Sequence, residues 1–182
     1  MRRRVAWCIT GSGDRIEEVV GVMERITRRF PDVDVRVYLS KAGEQVLKYY
    51  RLVERLKNSF GTLRVERNSN SPFLAGELQL GKFDFLLIAP ASSNTVAKIA
   101  HGIADSLVSN SAIMALKAFI PVYVLPSDLE EGITETILPD GRIMKLRIRK
   151  EDAENTRRLS EIEGITVLRN PEEIERVFEN YF

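Results

Sequence analysis

Apolar and polar positions along this chain follow two rhythms that alternate. RVAWCIT (4–10) is a nearly unbroken apolar and β-branched run that stops at Gly11-Ser12-Gly13; a short run of that kind, bounded by glycine, reads as a buried strand. Behind it Ile16, Val19, Val20, Met23 and Ile26 recur three or four apart, which lines them along one face of a helix. The pair then repeats. DVRVYL (34–39) leads into SKAGEQVLKYYRLVERL (40–56), read as one helical run; FDFLLIA (83–89) leads into PASSNTVAKIAHGIA (90–104); and helical SAIMALKAF (111–119) leads into IPVYVLP (120–126). TLRV (62–65) reads as a short edge strand, and SPFLAGELQLG (71–81) as a helix opened by its proline.

Strands and helices in alternation require parallel βαβ units with helices on both faces of the sheet, a three-layer α/β arrangement. Beyond Pro126 the alternation falters. ITETILPDGRIMKLRIRK (133–150) holds two strand-like runs around Pro139-Asp140-Gly141, a turn signal that predicts a β-hairpin. EDAENTRRLSEIE, ITVLRN and PEEIERVFENYF then restore helix, strand and closing helix. With 182 residues and no internal repeat, low-complexity tract or linker, the expectation is one domain over 1–182, the hairpin and C-terminal extension occupying about residues 130–182.

Composition narrows the function. Basic and acidic residues balance at 27 against 26, so no bulk field favours nucleic acid. No apolar run reaches the roughly 18 residues of a membrane span. The opening MRRR is followed by a short apolar run that meets GSGD without a cleavage pattern, so it reads as the opening of a strand and the expected location is the cytoplasm. The single cysteine, Cys8, lies in an apolar strand and reads as an inert buried thiol. One histidine, His101, cannot build a His-rich metal site, so no metal is expected. Redox chemistry here requires a bound organic cofactor.

In an open parallel sheet, ligands bind beyond the carboxyl ends of the strands. Four such ends are small or polar: Thr10, Gly11, Ser12, Gly13; Ser40, Lys41, Ala42; Pro90, Ala91, Ser92, Ser93, Asn94, Thr95; and Pro126, Ser127, Asp128. TGSG leaves exposed amides at a helix N-terminus, which suits a phosphate. The dinucleotide fingerprint is incomplete, because Ile16 stands where the third glycine belongs and the second strand ends at Ser40 instead of an acid. A mononucleotide phosphate fits better than NAD, and the Walker spacing is missing. A helix cap without a ligand is the alternative for either motif alone; two at adjacent strand ends favour a ligand. In PASSNT, Pro90 is expected to stop the strand, and Ser92, Ser93, Asn94 and Thr95 supply four donor-acceptor side chains where a cap needs one. That surplus suits a flat heteroaromatic ring. Tight helix-sheet packing by Ala97, Ala100, Gly102 and Ala104 is the alternative.

CITGSG, LSKAG, PASSNTVAKIAHGIADSL and VYVLPS together resemble the homo-oligomeric flavin-containing cysteine decarboxylase superfamily over about residues 4 to 130, most specifically from Pro90 to Leu107. LPDGR, RKED and NPEEIE extend the resemblance to the archaeal flavoprotein subgroup, of the archaeoflavoprotein A and dihydromethanopterin reductase type. The resemblance implies a Rossmann-like (flavodoxin-like) subunit binding FMN, with Gly11, Ser12, Gly13, Ser40, Lys41 and Ala42 at the phosphate and ribityl chain, Ser92, Ser93, Asn94 and Thr95 at the isoalloxazine end, and Ser127 as a further contact. It also implies assembly as a trimer or a multiple of three, for which the small and apolar GIADSLVSNSAIMALKAF (102–119) is a hint in the sequence itself. Two departures argue against cysteine decarboxylation. Gly76 replaces the catalytic histidine, and PSDL replaces the PAMN motif, putting Asp128 and Leu129 in its last two positions.

For the subgroup the resemblance implies FMN reduced by a low-potential donor such as ferredoxin and delivering electrons to a protein or pterin acceptor. A reductase would need a polar pocket, with Asn94, Asp128, Glu130 and Glu131 as candidate neighbours. A carrier would dock an acidic ferredoxin through basic residues such as Lys41, Arg142, Lys145 and Arg147, although RIMKLRIRK also reads as a charged edge strand that deters aggregation. A regulatory flavin-binding subunit or a prenyl-transferring relative is the remaining class, with no dedicated basic set for an isoprenoid phosphate. His101 falls about 9 Å along its helix from Thr95 at 1.5 Å per residue, which favours a structural or interface role, and Asp105 is expected to cap or pair locally.

Overall fold

Val5, Ala6, Trp7, Cys8 and Ile9 are all without solvent exposure, because their strand lies between two helical layers and neither of its faces meets water. The computed structural model describes residues 3–182; Met1 and Arg2 of the expected strand opening lie outside them. In chain order the first half comprises β1 (Arg4–Ile9), α1 (Ile16–Arg29), β2 (Asp34–Leu39), α2 (Lys41–Tyr49), α3 (Val53–Phe60), β3 (Leu63–Val65), α4 (Leu74–Gln79) and β4 (Phe85–Ala91). There follow α5 (Ser93–Ala100), α6 (Leu107–Lys117), β5 (Val122–Pro126), β6 (Gly132–Ile137), β7 (Ile143–Ile148), α7 (Lys150–Ser160), β8 (Ile165–Val167) and α8 (Glu172–Tyr181).

Six strands form one sheet in the order β3-β2-β1-β4-β5-β8, and every neighbouring pair is parallel. This is the strand order of the Rossmann class of doubly wound sheets. Alternation of side chains along each strand divides the core in two. Val5, Trp7, Ile9, Val37 and Leu87 pack with residues of α1, α2, α3 and α8. Ala6, Cys8, Leu86, Ile88 and Val124 pack with residues of α4, α5, α6 and α7. Since α1 leaves β1 toward one face and α5 leaves β4 toward the other, their N-termini diverge and a crevice opens between the two strand ends.

The predicted elements are present, but the helix expected over 90–104 covers only Ser93–Ala100, the one expected to open at Pro72 starts at Leu74, and two further differences bear on the rim. The run 40–56 is not one helix. Arg51 adopts a left-handed φ of 57°, the Leu52 amide reaches back to the Leu47 carbonyl at 2.9 Å, and a second helix starts at Val53. The break keeps Leu47, Leu52 and Leu56 all in the core while Tyr50 turns toward Gly13, where an added Cβ would lie 2.6 Å from its ring. Pro90 does not stop β4: the strand continues to Ala91 through a register shift between Ile88 and Ala91, which accommodates the residue that cannot donate to the ladder. The β6-β7 hairpin forms as a separate two-stranded sheet.

Candidate functional site

The rim at the switch point is assembled from the residue that follows β1. Thr10 is 1% exposed, and its hydroxyl does two jobs, donating to the Pro90 carbonyl at 2.8 Å and accepting the Ser92 amide at 2.8 Å. One side chain thus fixes the spacing of the β1 and β4 loops. The β5 loop is tied in on the other side, with the Ser127 amide donating to the Ala91 carbonyl at 3.0 Å and the hydroxyls of Ser127 and Ser12 sharing a 2.5 Å hydrogen bond.

Toward β2, the Ser40 amide donates to the Ile9 carbonyl at 3.0 Å, and the Ser40 hydroxyl caps α2 by accepting the Gly43 amide at 2.9 Å. Gly43 is packed so closely that a Cβ would stand 2.3 Å from the Ile9 oxygen. Gly11 approaches Ala42 in the same way, its added Cβ meeting that of Ala42 at 2.6 Å.

Glu66, just past β3, was not among the expected site residues. Its two carboxylate oxygens accept the Lys41 amide at 3.2 Å and the Leu107 amide at 2.8 Å, so one anion sits at the N-termini of both α2 and α6 and answers the partial positive charge of each. The signal was available: the rule about carboxyl ends of strands, applied to TLRV, points at this residue.

The PASSNT surplus is smaller in three dimensions than in one. The Ser92 hydroxyl caps α5 by accepting the Thr95 amide at 3.3 Å and also meets the Thr95 hydroxyl at 3.1 Å, which consumes both. Ser93 is half-buried. Asn94 stands exposed. What the rim offers a ligand is chiefly backbone: among the described residues, the amides of Gly11, Gly13, Ala42, Ser93 and Asn94 have no protein acceptor. Lys41 and Ala42 lie exposed on the first turn of α2. Amides without acceptors at three neighbouring strand ends, with close glycine contacts holding the loops in place, fit an anionic, hydrogen-bonding group such as a mononucleotide.

The hairpin leans over this rim. Thr136 donates to Asp14 at 3.4 Å and the Tyr50 hydroxyl donates to the Ile137 carbonyl at 3.1 Å. Beneath it lies a cleft of about 400 Å³ whose lining includes Asp14, Arg15, Ser127, Leu129, Glu130 and Arg169. Of the acids expected near a pocket, Glu130 lines this cleft and is paired with Arg169 at 2.6 Å, Asp128 is half-buried, and Glu131 is exposed.

Burial raises the Asp14 carboxyl above the ordinary aspartate range, opposed by the Thr136 hydrogen bond. Burial likewise raises Asp128, with Ser93 opposing and the Asp152 charge adding to the rise. An acid with a raised pKa in the fold favours its protonated form there, so its contribution to stability is greatest at low pH and is lost as pH climbs through the raised value. Asp14→Asn is therefore expected to melt higher than the parent at pH 8, the gap closing toward pH 3; melting curves across that range check it.

Residues away from the rim find local partners. Cys8 is buried, and burial pushes its thiol well above the ordinary range. His101 caps the far end of α5 and its Nε2 meets Asn155 Oδ1 of α7 at 2.9 Å. Asp105 pairs with Lys98 at 2.8 Å. Gly76 is buried in α4, and an added Cβ would fall 1.9 Å from the Phe73 ring, so a histidine cannot occupy this position without displacing Phe73. Among the described residues no group of three or more potential ligands could hold a metal ion, and no helix is long and apolar enough to cross a membrane.

Known proteins of similar sequence and fold place the chain in a family. The chain is 49% identical over 174 residues to an uncharacterized protein of Methanocaldococcus jannaschii, covering 96% of this chain and 93% of that one. It is 34% identical to the dihydromethanopterin reductase (acceptor) of the same organism, covering 96% and 95% of the two chains. The crystal structure of Burkholderia xenovorans DmrB in complex with FMN, described as a cubic protein cage for redox transfer, superposes with a TM-score of 0.81 at 33% identity, covering 99% of this chain and 95% of that one. The family model described as Flavoprotein matches residues 1–179, and the chain belongs to that family.

Proposed function

We propose that this chain is an FMN redox protein holding its cofactor along the rim between β1, β2, β4 and β5. The observation that carries the reading is the set of acceptor-free amides at Gly11, Gly13, Ala42, Ser93 and Asn94, and relatives named for flavin and redox chemistry support it. When bound, FMN supplies the electron chemistry that no side chain here offers.

The chain's own contribution is binding and orientation. Thr10, Ser12 and Ser40 fix the loops, and the amides of Gly11, Gly13 and Ala42, with the Lys41 ammonium, would hold the phosphate and ribityl chain. Pro90, Ala91, Ser92, Ser93, Asn94, Thr95 and Ser127 would frame the ring end. Glu66 already occupies the Lys41 amide, so on α2 the phosphate falls to Ala42 and the Lys41 side chain.

Trp7 provides the test. It is the single tryptophan, and its indole donates to the Ala89 carbonyl at 2.8 Å, one residue before the rim. Adding FMN to flavin-free protein is expected to quench both flavin and Trp7 fluorescence with one-to-one saturation. No quenching of either ends the FMN reading.

The finer reading is that a low-potential donor such as ferredoxin reduces the flavin, that electrons pass to a protein or pterin acceptor, and that the chain is a cytoplasmic homo-oligomer of three or a multiple of three. The basic docking set for an acidic donor contracts in the fold, because Arg142 pairs with Asp140 at 2.7 Å and Lys145 with Glu135 at 3.3 Å. Among the described residues Arg147 has no ion-pair partner and stays available for docking, whereas Lys41 is committed to the phosphate once FMN is bound. Anaerobic mixing with reduced ferredoxin should bleach the bound flavin, and re-oxidation by a dihydropterin separates a reductase from a carrier. A flavin that binds but does not bleach removes the donor while leaving the cofactor.

A further inference from the structure

The geometry points to Phe119 as the anchor of a two-fold contact between two copies of this chain, at the end of the sheet opposite the rim. Phe119 precedes β5 and follows α6. The Ile120 amide bonds back to the Ala115 carbonyl at 2.9 Å and the Phe119 amide to the Leu116 carbonyl at 3.1 Å. That is the Schellman ending of a helix, whose left-handed position glycine usually fills. Here phenylalanine fills it, at φ 59°, with its side chain 94% exposed. Local physics favours glycine twice over, for the backbone conformation and for the solvent-facing ring. The ring gains almost nothing from its own chain, so its contact must come from another.

The occupant follows from what lies beside it. Leu116, Ile120, Pro121 and Gly164 line, with Phe119 and Glu163, an apolar groove of about 220 Å³. A cavity of about 150 Å³ is enough for a benzene ring. A protruding ring and a recess for one on the same patch are what an isologous two-fold contact requires, because each copy presents both halves. Charge agrees with this. Lys117 and Glu163 flank the patch, both exposed, and neither has an ion-pair partner among the described residues. Across a two-fold axis, Lys117 of one copy meets Glu163 of the other, twice, as a charged rim around an aromatic centre. This contact is independent of the flavin reading and lies apart from the residues placed on the rim.

Light scattering on the full chain, with its circular dichroism, melting temperature and FMN titration, tests the proposal. The parent is expected to contain an even number of chains. Phe119→Gly suits the backbone and should fold with the parent's circular dichroism and bind FMN unchanged, while its particle mass falls to half or a smaller fraction. Lys117→Glu should lower the mass in the same way, and adding Glu163→Lys should restore it. A parent with an odd number of chains, a Phe119→Gly particle of undiminished mass, or a double charge swap that fails to restore the pairing would each overturn the two-fold contact.

Discussion

Gly43→Ala is expected to destabilise the protein by about 3 kcal/mol, at the upper end of the usual cost of overpacking, and to weaken FMN binding at least about tenfold, equivalent to about 1.4 kcal/mol. The reason is what the new methyl group meets. At 2.3 Å from the Ile9 oxygen and 3.0 Å from its carbon, it collides with backbone at the end of the central strand, where no rotamer change relieves it. The N-terminus of α2 must move away from β1, and three things move with it: the Ser40 cap, the Glu66 bridge to the Lys41 amide and the Ala42 surface against which Gly11 rests. For a domain of this size each kcal/mol lowers the melting temperature by about 2–4 °C, so a drop of about 6–12 °C should appear in a thermal melt. An alanine variant that melts within a degree or two of the parent and titrates FMN identically would show that the α2 end is free to yield.

That glycine also marks how far the sequence alone could be read. The alternation of strand and helix rhythms identifies the layers, because both periods arise from backbone geometry and need no tertiary information. The same strand-end rule brings Thr10, Ser40, Ser92 and Ser127 to one rim. What it cannot supply is how each polar group is spent. Ser92 and Thr95 look like surplus donors in PASSNT, yet each satisfies the other and the α5 cap. Lys145 and Arg142 look like docking charges, yet the hairpin register sets Glu135 opposite Lys145, and the turn supplies Asp140 to Arg142. The break at Arg51 did leave a sign in the spacing: Leu47 and Leu56 are nine residues apart, which on one continuous helix sets them on opposite faces, and the break at Arg51 is what brings both into the core. For Glu66 the strand-end rule gives the place, but not the role, because the amides it accepts belong to α2 and α6, 25 and 41 residues away in sequence. Phe119 shows the reverse case: the stretch that suggested subunit contact by composition contains one residue whose conformation and exposure single it out only in the fold.

Thr10→Val should be the most informative change at the rim, because it removes one hydroxyl and almost nothing else. Valine keeps the shape of threonine and its preference for strands, but the swap is not neutral when the hydroxyl is bonded. Here it holds two bonds, to the Pro90 carbonyl and from the Ser92 amide. Pro90 keeps a second donor in the Thr10 amide at 3.3 Å, so its loss is partial. The Ser92 amide has no other acceptor in this arrangement, and leaving such a group unpaired in a part-buried position costs about 1–3 kcal/mol. The melting temperature should fall by about 4–8 °C for a loss near the middle of that range. The β4 loop, no longer pinned to β1, should then present Ser93 and Asn94 less well to a ligand, so FMN affinity should fall with stability. Thr10→Ser separates the causes: it retains the hydroxyl and loses only a buried methyl group, so it should bind FMN nearly as the parent does even if it melts slightly lower. If Val and Ser variants bind alike, the hydroxyl clamp does not govern the rim, and the spacing between the β1 and β4 loops must be set by the packing beneath them.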